Sequence, residues 1–277
     1  LCSFLLGIHA QSPESFTPYR ATHLRLPAVP LVVNDPYFSI WSPYDHLTDG
    51  PTTHWTNAPK PLTGLLRVDG TVYRFMGDGD SDVQTAVQKS VSVLATNTYY
   101  SFDCGPVELD LVFTAPMLIH DLDLISTPVN YISYQVSSKD KKDHAVQIYL
   151  SASPEIAQNT PDQPMRSRRL EKDGLEVLES GTIDQPILAK KGDGICIDWG
   201  YVYLPAINGK ISLGQSEEVR NSFIQSGQLP AGKNEIFSYK ASTPPVLAYV
   251  HDFGQVNGPS SSFAMLGYDE VQDIEYM

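Results

Sequence analysis

Between Leu62 and Phe75 two apolar runs, carried by Leu65, Leu66 and Val68 and by Val72, Tyr73 and Phe75, flank Asp69-Gly70. Asp-Gly between strand-like runs favours a two-residue turn, because both central positions take φ > 0. A hairpin is marginal alone, so this one must join a larger sheet. The rest of the chain supplies strands for it. Val107, Leu109, Leu111 and Phe113 alternate with Glu108, Asp110 and Val112, the period-two pattern of a half-buried strand. Ala86–Ala95 and Thr98–Asp103 precede it. Val129–Val136 and His144–Leu150 follow, joined by a charged tip at 137–143. Further strands are predicted at Leu175–Leu178, Ile195–Trp199, Glu235–Tyr239, Val246–His251 and Ser262–Tyr268. One helix is predicted, with Ser216 as N-cap, Glu217 and Glu218 in the first turn, Val219, Phe223 and Ile224 on one face, and Gly227 at its end. The expected fold is mainly β: a large antiparallel β-sandwich, supersandwich-like, with one or two short helices.

The hairpin closes a second feature, a strap over Leu26–Gly77 rich in proline and aromatic residues. It holds seven prolines and two of the three tryptophans, Trp41 and Trp55. Proline cannot donate to a ladder, so extended pieces and tight turns laid over the sandwich are expected. Pro27 and Pro30 suit an extended lead, Asn34-Asp35-Pro36 a turn, and Tyr37–Trp41 a strand-like aromatic run. Ser42–Pro61 is a long loop of turn formers, and a loop of that length is usually functional or held by another domain. Trp41, Asp45, His46, His54 and Trp55 are its candidate substrate-binding residues; the two tryptophans would serve equally to pack the strap onto the sandwich.

Length and charge narrow the function classes. The chain has 277 residues, 42% apolar and 18% charged, with net charge −13. Nothing in it offers the basic patch that a nucleic-acid partner requires. The one basic cluster, Met165–Arg169, is followed by Glu171 and Asp173 and reads as a solvated loop or strand edge. The opening LCSFLLGIHAQ runs apolar to Ala10 and then turns polar, like the tail of a secretory signal peptide. Residues 1–11 are therefore expected to be a signal remnant of an exported protein, periplasmic or extracellular, with no stable membrane span. Residues 12–82 and 83–277 are the two expected domains. Cys104 and Cys196 could form one bridge in an oxidising compartment, but two buried free thiols fit their strand-like surroundings.

Motifs that would carry chemistry are incomplete. Asp78, Asp80 and Asp82 have the opening spacing of a calcium loop, but Val83 and Lys89 stand where Gly and Glu are needed. His46, His54, His120 and His251 are scattered without metal-ligand spacing. Ser138–Lys141 spells S-x-x-K at a charged hairpin tip, where the lysine is not desolvated. The pairs Asp121 and Asp123, Asp269 and Glu270, and Asp273 and Glu275 read as turn chemistry. No metal, cofactor or catalytic residue is assigned.

Two long blocks carry a resemblance. RLPAVPLVVNDPYFSIWSPYDHLTDGPTTHWTNAPKPLTGLLRVDGTVYRFMG resembles the opening domain of the glutaminase A family of exported microbial proteins. FTAPMLIHDLDLISTPVNYISYQVSSKDKKDHAVQIYLSASPE, with SEEVRNSFIQSGQLP and FAMLGYDEVQDIEYM, is similar to that family's second N-terminal domain. The resemblance implies a β-sandwich half preceding a six-hairpin glycosidase-like helical domain that is missing here. It implies hydrolysis of glutamine to glutamate and ammonia by the full-length protein, with this portion inactive alone. Small-molecule substrate, glutamine or a glycoside, would be handled through the missing domain. A glycoside hydrolase of the same architecture and a carbohydrate-binding module are the alternatives.

Overall fold

A computed structural model describes residues 13–22, 25–79, 83–238 and 244–272. The expected signal remnant, Asp80 and Asp82 of the aspartate motif, and Asp273 and Glu275 lie outside the described residues. In chain order the strands begin with β1 (Val29–Val33), β2 (Ser39–Ser42) and β3 (Thr53–His54), a small antiparallel sheet made by the strap. Next come β4 (Leu62–Val68), β5 (Thr71–Met76), β6 (Gln84–Thr85), β7 (Val87–Val93), β8 (Asn97–Cys104) and β9 (Val107–Thr114). A short helix α1 (Leu122–Ile125) leads to β10 (Val129–Ser138) and β11 (His144–Ala152). Then follow β12 (Met165–Lys172), β13 (Leu175–Thr182), β14 (Tyr201–Pro205), β15 (Lys210–Gln215) and helix α2 (Ser216–Ser226). The described chain closes with β16 (Glu235–Ser238), β17 (Pro245–Val256) and β18 (Ser260–Asp269).

These strands make the predicted sandwich. One sheet has nine strands in the order β16-β12-β13-β14-β18-β10-β9-β8-β7, the other six in the order β15-β17-β11-β4-β5-β6. Pairing is antiparallel save for β5 with β6. Alternation sends Leu109, Leu111 and Phe113 of β9, and Leu66, Ile148 and Leu150 of the smaller sheet, into one shared core. Tyr134 and Tyr249 meet across it through their hydroxyls at 2.9 Å. The opposite face of the smaller sheet, with Leu65, Tyr149, Ala248 and Val250, is covered by Val219 and Phe223 of α2. Phe223 lies 5.2 Å from the Tyr149 ring.

The Asp-Gly hairpin forms as β4–β5, with Asp69 at φ 49° and Gly70 at φ 89°. Its tip also binds the connection from β10 to β11, which is not the expected hairpin: β10 pairs with β9 and β18 in the larger sheet and β11 with β4 and β17 in the smaller, so 137–143 crosses between the sheets. Asp69 Oδ2 lies 2.6 Å from His144 Nδ1, and Oδ1 accepts from Ala145 N at 2.9 Å. His144 Nε2 meets Asp140 at 3.0 Å. Ser138 and Lys139 of the S-x-x-K motif bond to Asp140 and Asp103 in this charged tip.

Several expectations need correction. Ile195–Trp199 is no strand; the Cys196 amide bonds to the Asn159 side chain, so a side chain replaces a ladder partner. Met165–Arg169 is neither a loop nor a sheet edge but part of β12, paired on both sides. Its arginines are matched by Glu235, Glu179 and Glu176. Helix α2 begins at Ser216 with Gln215 as the N-cap, and no side chain caps it. Gly227 ends it at φ 71°, the left-handed conformation that glycine adopts without a Cβ clash. Asp121 caps α1 by accepting from Leu124 N at 3.0 Å. No described helix is long and apolar enough to cross a membrane.

Candidate functional site

After β2 the strap folds a small finger over residues 52–60. Thr53 bridges Pro59, and His54 N donates to Ala58 O at 2.8 Å. Asn57 takes φ 69°, which lets the turn close. Trp55 stands at the tip and Lys60 at the base. Lys60 is 3% exposed, and its ammonium donates to the carbonyls of Glu155 and Gln158. Burial lowers its pKa, against the opposing pull of Cys196, Glu155 and Asp198.

The finger is fastened above Lys60 by a chain of hydrogen bonds whose direction can be derived. His54 Nε2 lies 3.0 Å from Pro36 O, a group that only accepts, so Nε2 carries the proton. Burial lowers the His54 pKa, which favours the neutral ring. Nδ1 is then an acceptor, and Thr56 Oγ1 donates to it at 2.9 Å. The Thr56 oxygen is left to accept from the Cys196 thiol at 3.5 Å. Trp55 Nε1 donates to the same Pro36 carbonyl at 2.8 Å. Beside this chain, buried Asp198 accepts from Gln163 Nε2 at 2.7 Å and Lys190 Nζ at 3.0 Å. Every polar group named here has its partner within the fold, and the arrangement works as a pin.

What the pin presents is Trp55. Its side chain is 51% exposed and walls a cleft of about 600 Å³. Pro36, Tyr37, Ile195 and the segment Lys190–Asp193 complete the lining. The Tyr37 ring is braced edge-on by Trp199 at 5.2 Å. The cleft combines an indole face with side chains of both charge signs, a combination suited to a small polar ligand or to a covering surface.

Of the five residues singled out from sequence, the structure joins His54 and Trp55, whose rings lie 5.5 Å apart. Trp41 is in β2 opposite Thr53, with its indole nitrogen on Ser39 Oγ at 2.7 Å. Asp45 and His46 do not line the cleft. Asp45 binds Arg25 through two bonds, His46 pairs with Asp49 at 3.0 Å, and Gln88 of β7 holds this turn from below. Lys60, Gln163, Lys190 and Asp198 were missed. Lys60 had one legible signal, a lone cation between Pro59 and Pro61; the others depend on the irregular path of 185–200. Cys104 and Cys196 are both buried free thiols. Among the described residues no three His, Cys, Asp or Glu side chains gather as a metal site.

Comparison with known proteins gives these features a context. Residues 96–277 match the family model described as domain of unknown function DUF5127, and residues 2–88 match DUF4964, another domain of unknown function. Glutaminase A of Aspergillus oryzae (strain ATCC 42149 / RIB 40) is 25% identical over 99% of this chain. The chain spans 41% of that relative's length. A galactose mutarotase related enzyme from Lactobacillus acidophilus aligns over 90% of this chain and 100% of its own, at 7% identity and a TM-score of 0.38. The chain belongs to the DUF5127 family, carries a DUF4964 segment ahead of that domain, and is consistent with an N-terminal portion of the glutaminase A family.

Proposed function

We propose that this chain is the β-rich part of an exported glutaminase-like amidohydrolase, which converts glutamine to glutamate and ammonia, and that chemistry resides in polypeptide beyond these residues. The observation that carries the reading is the similarity to glutaminase A across 99% of the chain. The site itself supports the division of labour. Amide hydrolysis needs a base and a nucleophile or activated water. Here both nitrogens of His54, the Thr56 hydroxyl and the Lys60 ammonium are engaged in holding the finger. The cleft beside Trp55 then acts as one wall of a binding site. Ammonia release from glutamine, assayed on the longer protein and on residues 1–277, tests this. Turnover is expected from the longer protein only. Release by residues 1–277 sinks the claim that they are inactive alone, and no release by the longer protein sinks the glutaminase assignment.

A second reading rests on the half-exposed Trp55 indole, a surface on which a sugar ring can stack. It requires oligosaccharides to quench or shift tryptophan fluorescence in this chain. An unchanged spectrum removes it. The longer protein assayed on glycosides beside glutamine separates a glycoside hydrolase from an amidohydrolase.

A further inference from the structure

The connection from β9 to β10 is built of the wrong residues for a free loop. Met117, Leu118, Ile119, Leu122 and Ile125 are all exposed, from 38% for Ile125 to 76% for Leu122. Helix α1 buries none of its residues. Yet the segment is well tied: Asp121 caps the helix, and the hydroxyls of Ser126 and Thr127 bond to Asp123 O. A hydrogen-bonded segment that displays five exposed apolar side chains within nine residues is the mark of a surface that something covers.

The same platform borders the end of the described chain. Gly267 pairs with Val129, and Tyr268 N donates to Pro128 O at 3.0 Å. A mostly apolar cleft of about 460 Å³ lies over this pairing, with Val177, Tyr203 and Pro205 of β13 and β14 also in its wall. On the other side, a cleft of about 230 Å³ joins 115–117 and 125–128 to Val33–Asp35. The next residues, Pro36 and Tyr37, line the cleft at Trp55. Chain end, apolar platform and Trp55 cleft therefore form one continuous belt.

We propose that this belt seats the polypeptide that follows β18 in the longer protein, which docks on the apolar side chains of 117–125. The inference rests on the reading of this chain as part of a longer glutaminase-like protein. Two observations choose this occupant over a second copy. The chain leaves β18 beside the platform, so the continuation arrives at high effective concentration. The larger part of the matched relative's length also lies outside the aligned region.

Hydrogen exchange of 117–125, compared between residues 1–277 and the longer protein, tests it. Exchange is expected to slow at least about tenfold in the longer protein, as for a segment moved from a solvated surface into an interface. The double variant Ile119→Asp, Leu122→Asp is expected to abolish that slowing. Both side chains are exposed in residues 1–277, so the melting temperature of that chain is expected to stay unchanged. Equal exchange in the two proteins overturns the proposal. So does a reading frame that stops at Met277, or a concentration-dependent dimer of residues 1–277 that the double variant dissociates. Protection without glutamine turnover sinks the glutaminase assignment and leaves the docking intact; turnover without protection does the reverse.

Discussion

Lys60 shows how a single side chain can organise a loop. Its ammonium reaches two carbonyls that no ladder serves, those of Glu155 and Gln158, and so ties the finger to the connection after β11. Leaving a buried acceptor unpaired costs about 1–3 kcal/mol. Lys60→Ala strands the Gln158 carbonyl, while Glu155 O keeps the Gln158 amide at 3.3 Å, and leaves a void along the lysine stem, and is expected to destabilise the chain by roughly 3 kcal/mol in urea unfolding. Lys60→Met keeps most of the stem and is expected to cost less. Equal stability of the wild type and Lys60→Ala would refute the pinning role. This residue also marks where sequence reading stops. Trp55 was legible as a large aromatic in a turn-rich loop. Lys60 and Asp198 were not, because their roles come from groups brought near by segments distant in the chain, 98 residues for Lys60 with Gln158 and 35 for Asp198 with Gln163.

At the scale of elements, the hairpin at Asp69-Gly70 was legible because its turn chemistry is local, and the helix over 216–226 because its buried face recurs at helical spacing. β12, β14 and β15 were not. Their residues alternate weakly, and their strand state is set by neighbours: β12 exists between β13 and β16, with its arginines matched by glutamates across the sheet. Helix α2 depends on Phe223, fully buried against Tyr149. Phe223→Ala is expected to cost about 3–5 kcal/mol in urea unfolding. A loss below about 1 kcal/mol would mean that the sheet face does not need the helix. The clamp between the β4–β5 turn and the β10–β11 crossover is pH-dependent. The hydrogen bonds that His144 donates to Asp69 and then Asp140 raise its pKa, and the same bonds lower both carboxylates. The histidine contribution is complete below its unfolded value of about 6.5 and is lost as pH rises through the raised folded value. The carboxylate contributions are present above about 3.8–3.9 and lost as pH falls through the lowered folded values. The stability gap between the wild type and His144→Asn is therefore expected to be widest near pH 5–6 and to shrink towards pH 9. A gap that stays constant across that range would refute the ionic clamp.

At the scale of the molecule, the two family segments are not two bodies. Strand β4, from the segment matched over 2–88, lies between β5 and β11, and β11 belongs to the segment matched over 96–277. Leu66 of β4 sits in the same core cluster as Ile148 of β11 and Leu111 of β9. The strap adds to this continuity, since Thr98 Oγ1 of β8 donates to Pro30 O and Thr56 reaches Cys196. A shared sheet with a shared core has no plane along which one segment can melt first. Thermal unfolding of the whole chain is therefore expected to be one transition. The three tryptophans make this measurable, because Trp41 and Trp55 report on the first segment and Trp199 on the second. Fluorescence from Trp199→Phe, from the double variant Trp41→Phe, Trp55→Phe, and far-UV circular dichroism of each are expected to give coincident midpoints within every protein. Residues 96–277 alone would expose the edge of β11 where β4 pairs, together with the Ile148 and Leu150 side chains that pack there. That piece is expected to lack a cooperative transition. If it melts cooperatively by itself, or if Trp41 and Trp55 report an earlier midpoint than Trp199, the strap and its hairpin are a separate unit laid on a finished sandwich and not part of it.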